Sequence, residues 1–339
     1  ISNDFGAYAI NVVGKYAYIS GSTNNTDMTI IDIGGIDAPS AHIGALQVNT
    51  LNVTENLTVA NNAYISNGLN VGVGGIATDG LMSAGALDIS AKIEPRLVGG
   101  ISSSTVLNGA ISIYVSGKYA YVANNDANSF AVIDISNPIG TSTIVGSVSS
   151  SQLSGARAVY VSGKYAYVAN EIDDSLRIID ISNPSVPSIV GGVKDTANLN
   201  GAYSVYVSGK YAYVANSTDN SLRIIDVSNP TGTSTIVGGV KDATNLNDAR
   251  SVYVSGKYAY VTAYGNNSLQ IIDVSNPTSP VRVGGTTGVN GAASVYVSGK
   301  YAYVANRLGG SADLTIVDVS SSTNPTVASS INSLPPWVD

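Results

Sequence analysis

The stretch from Ser204 to Asn216, Ser-Val-Tyr-Val-Ser-Gly-Lys-Tyr-Ala-Tyr-Val-Ala-Asn, recurs along the chain with few changes and constrains the fold more than anything else in it. Near-copies run from Ala110 to Asn124, Ala158 to Asn170, Ser251 to Ala263 and Ser294 to Asn306, with a looser copy from Ala9 to Ser20. Each joins two β-branched and aromatic runs through a Gly-Lys turn, and glycine accepts the positive φ of a tight hairpin without strain. The turn lysines Lys15, Lys118, Lys164, Lys210, Lys257 and Lys300 set the register. The last four steps are 46, 46, 47 and 43 residues and the first is 103, so six units are present and the first carries an insertion. Periods in the forties with several strands each indicate propeller blades.

The unit that opens near Ala202 shows one blade, with strands expected over 204–208, 211–216, 222–227 and 235–240. Ser228-Asn229-Pro230 punctuates its last turn, because proline fixes φ and ends a ladder. The second and third strands are apolar at successive positions, so both faces of the sheet are buried, as a blade between two neighbours requires. The expected fold is all-β: a six-bladed β-propeller of four-stranded blades from residues 1–35 and 95–332. A β-rich insertion occupies 36–94 of blade one, and 333–339 is a tail. Blade one starts on its first strand and blade six ends on its fourth, so the ring is expected to close without exchanging a strand between its ends.

These residues resemble the LVIVD-repeat β-propellers of bacterial and archaeal cell surfaces. The resemblance rests on Leu-Arg-Ile-Ile-Asp-Ile-Ser-Asn-Pro from Leu176 to Pro184, preceded by Val-Tyr-Val-Ser-Gly-Lys-Tyr-Ala-Tyr-Val from Val159 to Val168. It recurs in all six units and leaves out only about residues 36–94 and the tail. Blade one departs most, with Gly34-Gly35 where other units read Ser-Asn-Pro or Ser-Ser. What the resemblance implies is a scaffold for varied surface roles.

A shorter period runs through the insertion. Leu51, Leu57, Ala63, Leu69, Gly75, Leu81 and Leu87 stand six apart, and Val53, Val59, Ile65 and Val71 follow two residues behind. Six-residue periods of short strands resemble β-helical or fibre-shaft repeats. So few hexads leave apolar rungs and bare strand edges at both ends, which recruit partners. Leu51, Val53, Leu57, Val59, Ile65, Leu69, Val71, Leu81, Leu87 and the sole tryptophan, Trp337, are therefore the expected interface of a homo-oligomer or homopolymer. The leading expectation is a self-assembling surface protein, as in an extracellular filament. The alternative is a monomeric adhesin or glycan-binding propeller that takes surface glycans on its variable loops.

Only 12% of residues are charged and the net charge is −7, with a pI near 4.6. That balance argues against nucleic acid and anionic membranes as partners. No apolar run is long enough for a spanning helix, and Ile1 at the start fits removal of a signal or leader segment, so an extracellular or cell-surface location is expected. Sequons at Asn24, Asn52, Asn56, Asn216 and Asn266 fit exposed loops.

There is no cysteine, and His42 is the single histidine, which leaves little from which to build a nucleophile and base. No catalytic residue and no cofactor are expected, and the chain is expected not to be an enzyme. Glu171, Asp173 and Asp174 in one loop are a weak calcium candidate beside the plainer reading of a solvated turn. Lys118, Lys164, Lys210, Lys257 and Lys300 are expected to pair across strands with Asp134, Asp180, Asp226, Asp273 and Asp318 as structural elements. Paired tyrosines such as Tyr211 and Tyr213 are expected between blades. The Ser-Gly-Lys and Ser-Asn-Pro turns share one face of the ring and hardly vary. Loops between second and third strands, and the connections from blade to blade, share the other face and do vary, so binding specificity belongs there.

Overall fold

The computed structural model describes residues 7–13, 16–21, 28–32, 97–137, 142–307 and 314–331. The chain divides into two compact units, Ile1–Ile31 with Leu97–Asp339, and Asp32–Arg96. The expected interface residues between Leu51 and Leu87, with His42 and Trp337, lie outside the described residues.

Among the described residues, twenty-four strands form six four-stranded antiparallel sheets, each from strands consecutive in the chain. Blade four is Ala202–Ser208, Tyr211–Asn216, Ser221–Asp226 and Thr235–Lys241. The six first strands are Ala7–Val13, Ala110–Ser116, Ala156–Ser162, Ala202–Ser208, Ala249–Ser255 and Ala292–Ser298, and each packs against the first strand of the blade that follows it in the chain, so that together they line the axis. This is a six-bladed β-propeller. Ala7–Val13 and Thr326–Ile331 each ladder within their own blade.

The core lies between blades rather than within them. Tyr167, Leu176 and Ile178 of blade three pack on Leu199, Val205, Val207 and Ile225 of blade four, and the same arrangement recurs at neighbouring junctions. This explains the unbroken apolar runs of the second and third strands, whose two faces serve different neighbours. Tyr213 is buried in such a junction with half-buried Tyr211 beside it.

Three further devices lock neighbouring blades. The Oγ of Ser112, Ser204 and Ser251 accepts the backbone N–H of Val159, Val252 and Val295, each on the first strand of the next blade. An arc of tyrosines, Tyr114, Tyr160, Tyr206, Tyr253 and Tyr296, stacks around the axis with ring centroids 4.9–5.1 Å apart. Burial pushes the Tyr253 hydroxyl up to about 12, helped by Tyr206 and Tyr296. The third device is a glycine socket on the outer strand. A Cβ on Gly146, Gly191, Gly238 or Gly284 would fall on the carbonyl oxygen of Pro184, Pro230, Pro277 or Ser322, each in the last turn of the following blade. The outer strand of one blade therefore receives the turn of the next.

Lys118, Lys210, Lys257 and Lys300 lie 3.4–3.8 Å from Asp134, Asp226, Asp273 and Asp318. In all five described blades the aspartate Oδ1 also accepts the N–H two residues on, including Ser182 N–H at Asp180. Hydrogen bonds from the following serine, followed by the lysine, hold the Asp226 carboxyl below its ordinary range. One expectation about surface loops is corrected: Asn216 is fully buried, and its amide donates to Val214 O and Ser221 Oγ, which closes that sequon to modification.

Candidate functional site at the mouth of the axis

Each first strand carries a bulge at its second residue, where the ladder skips one position. The bulged residues are Tyr8, Ile111, Arg157, Tyr203, Arg250 and Ala293. The five strands from Ala110 onward otherwise read almost alike, as Ala-x-Ser/Ala-Ile/Val-Tyr-Val-Ser. The bulge is therefore the place where near-copies differ in chemistry, at the strand end that faces the variable loops. Bulges re-aim a side chain out of the pleat.

The backbone beneath the bulge is held the same way in four blades. Asn128, Asp174, Asn220 and Asn267 adopt left-handed φ of 48° to 53°. Their side-chain oxygens accept the N–H of Gly155, Gly201, Asp248 and Gly291. Those residues stand two places before the bulge, at positive φ in every case. Four of the five described blades put glycine there, and blade five puts Asp248 at φ 53°. A side chain in that region costs about 1–2 kcal/mol against glycine, so the exception needs a compensating contact. It has one: Asp248 receives three hydrogen bonds of 2.7–3.1 Å from Arg250.

The bulged side chains of blades three, four and five then touch one another. The Arg157 guanidinium lies 4.1 Å from the Tyr203 ring centroid and donates to the Tyr203 hydroxyl. The Arg250 guanidinium lies 5.5 Å from the centroid of the same Tyr203 ring and 3.4 Å from that of Tyr264. Both guanidinium groups are mostly buried, at 16% and 18% side-chain exposure. Burial opposes the charge on Arg250, but hydrogen bonding to Asp248 together with the charge interactions with Tyr203, Asp248 and Tyr264 outweighs it and raises its pKa. Arg157 has the looser environment. Glu171 stands 3.4 Å away, and the buried Arg157 Nε–H has no acceptor. Arg307 opens the corresponding loop of blade six, its N–H bonded to Gly291 O. This end of the axis therefore gathers two guanidinium groups, each with a carboxylate partner, around tyrosine rings.

The calcium candidate does not assemble. Asp173 is buried and holds Arg177 at 2.7 Å and Lys194 at 2.6 Å, Asp174 caps Gly201, and Glu171 faces Arg157. The three carboxylates thus have separate partners, and no cluster of three metal-ligating side chains occurs among the described residues. The Asp173 arrangement recurs in blade four, where Asp219 holds Arg223 and Lys241. A shallow groove of about 540 Å³ between the outer strands of blades three and four includes Asp195, Asn198 and Arg223. Arg223 is already spent on Asp219 there, so the axial mouth is the stronger candidate.

Sequence reasoning placed specificity on the variable loops but missed Arg157, Tyr203 and Arg250. Two signals could have found them: the variable second residue of a near-invariant strand, and Asn247-Asp248-Ala249 where blades two, three, four and six read Asn-Gly-Ala or Ser-Gly-Ala.

The LVIVD repeat is matched at residues 6–50, 109–148, 155–195, 201–237, 247–287 and 291–333, one match per blade. Among curated proteins, none matches the chain. Solved structures share the fold at low identity. A protein from Lactobacillus plantarum is 16% identical with a TM-score of 0.59, covering 69% of this chain and 73% of that one. The periplasmic gluconolactonase of Pseudomonas aeruginosa is 16% identical with a TM-score of 0.59, covering 70% and 73%. A proposed 6-phosphogluconolactonase from Bacteroides fragilis is 16% identical with a TM-score of 0.58, covering 72% and 76%. These likenesses show the fold. They also correct the expectation that the chain is not an enzyme, which rested on a single histidine and few acid pairs: propellers of this frame are described as lactonases, so the frame gives no ground for excluding catalysis.

Proposed function

Because the chain belongs to the LVIVD-repeat family, we propose that it is an extracellular recognition propeller that takes a surface saccharide at the mouth of its axis. The observation that carries this reading is the Arg157–Tyr203–Arg250 stack, built from the residues that differ between near-identical strands. A repeated turn can supply only repeated contacts, whereas a single variable position on a rigid ring can specify a ligand. Tyrosine offers a saccharide both a flat apolar face and a hydroxyl. No helix among the described residues is long and apolar enough to cross a membrane. The experiment is a saccharide array probed with the labelled chain, with lactone hydrolysis assayed in parallel. The expected result is saccharide binding that falls at least tenfold, about 1.4 kcal/mol, in Tyr203→Ala at unchanged melting temperature. An array without a hit, or binding indifferent to Tyr203, overturns the reading; lactone turnover with no saccharide retained at the mouth replaces it with a catalytic one.

A second reading is favoured by the hexad period of residues 36–94. In it the insertion joins copies of the chain into a homopolymer at the cell surface. Deleting Ala45–Ser90 and joining the ends through a short Gly-Ser linker is expected to leave a folded, monomeric propeller, read by size-exclusion chromatography and negative-stain microscopy. A deleted chain that still assembles as the parent does removes the insertion from that role.

A further inference from the structure

Resting on that reading, we propose that the saccharide is acidic and that Arg157 receives its carboxylate. The two arginines of the stack are not equivalent. Arg250 has its fork filled by Asp248 and its face covered by Tyr264. Arg157 gives one N–H to Tyr203, meets Glu171 only at 3.4 Å, and keeps a buried Nε–H without an acceptor. An unmet donor on a buried cation is costly, and a carboxylate is the group that fills the two-pronged edge of a guanidinium. The chain already brings a carboxylate to this place in Glu171, whose side chain is 33% exposed and can turn out to water. A ligand carboxylate that displaces it would gain the closer contact that Glu171 does not make.

The flanking positions agree. Tyr203, within reach of both guanidinium groups, offers its ring to the sugar that bears the carboxylate. Ile111 and Ala293 occupy the equivalent bulges of blades two and six and bring no anion to oppose it. Arg250 and Asp248 remain paired as a positioning unit beside the ring. A neutral saccharide can stack on Tyr203 but has no charged acceptor for the Arg157 edge, so charge is where discrimination arises.

The test uses the full chain and isothermal titration with trimers of galacturonate, glucuronate and mannuronate, each beside the same trimer after carboxyl reduction. At least one acidic trimer is expected to bind ten or more times tighter than its reduced form, with an advantage that shrinks as salt rises. Arg157→Ala is expected to remove that advantage, so that acidic and reduced trimers then bind alike. Blade six carries Ala293 at the same bulge, so the fold accepts the substitution; Arg157→Lys, which keeps the charge but not the fork, is expected to retain only part of the preference and serves if the alanine variant melts early. Equal binding of acidic and reduced trimers, with Arg157→Ala changing neither, overturns the acidic-ligand inference and leaves the saccharide reading in place. Binding of no trimer in either form overturns both.

Discussion

Gly238→Ala is expected to destabilise the propeller by about 3 kcal/mol, the upper end of the usual overpacking cost. A Cβ at Gly238 would fall on the Pro277 carbonyl oxygen and stand 3.0 Å from the Thr278 Cα and carbonyl carbon. These are backbone atoms, so the collision cannot be relieved by turning a side chain. The turn of blade five would have to lift off blade four. Gly209→Ala is the natural control. Gly209 sits at φ +59° with open space around its would-be Cβ, so its cost is the left-handed backbone alone, about 1–2 kcal/mol. Urea midpoints at unchanged m-value separate the two effects. If Gly238→Ala costs no more than Gly209→Ala, the socket is not a tight contact in solution.

The second large effect concerns the buried aspartates of blades three and four. Asp219→Ala is expected to cost about 3 kcal/mol, because it strands the Arg223 guanidinium, 15% exposed, without its carboxylate. Lys241, 59% exposed, returns to water on its own, so Lys241→Ala is expected to cost under about 1 kcal/mol. The chain supplies its own comparison. At the places of Asp219, Arg223 and Lys241, blade two carries Ala127, Ala131 and Ser149, and blade five carries Asn266, Gln270 and Thr287. All three charges are present together or absent together. Asp219→Ala combined with Arg223→Ala and Lys241→Ser is therefore expected to be less damaging than Asp219→Ala alone, as replacement of a whole buried ionic cluster often is.

The same group gives a pH signature. Burial alone would raise the Asp219 pKa, but Lys241, Arg223 and Ser221 more than offset it and hold the carboxyl below its ordinary range. A depressed carboxyl contributes stability that is fully present above the unfolded value of about 3.9 and is lost as pH falls from there through the folded value. Thermal unfolding should thus steepen on acidification below about pH 4, and the triple substitution should remove part of that slope. A slope unchanged by the substitution would mean that other carboxylates carry it.

Most of the architecture was legible because it is written locally. The Ser-Gly-Lys turns, the Ser-Asn-Pro punctuation and the doubly apolar second and third strands each act within a few residues, and the blade four strands fall within two residues of their expected limits. What escaped was written between blades. The Val-Gly-Gly of an outer strand reads as mere strand until the Pro277 carbonyl, some forty residues on in the chain, is seen to need the space at Gly238. The partners of Asp173 also lay hidden, because Lys194 becomes its neighbour only when the outer strand folds back across the third. Arg157 and Tyr203 are likewise one repeat apart in sequence and in contact only around the axis.

The glycine socket bears on how such a chain can change its number of parts. Blades three, four and five each bring both halves of the lock, an outer-strand glycine for the successor and a terminal turn for the predecessor. A blade copied by recombination between near-identical repeats would arrive with both halves in register, and its neighbours would need no adjustment because repeats of this kind interact only with what lies next to them. The last junction does not share this freedom. At the register position of the socket glycine, blade six carries Ser329, and the first unit reads Gly34-Gly35 in place of the Ser-Asn-Pro turn. Duplication and loss are therefore tolerated within the row of inner blades, while the first and last are fixed as its ends: the lineage can lengthen or shorten in the middle without ever losing track of where the ring was joined.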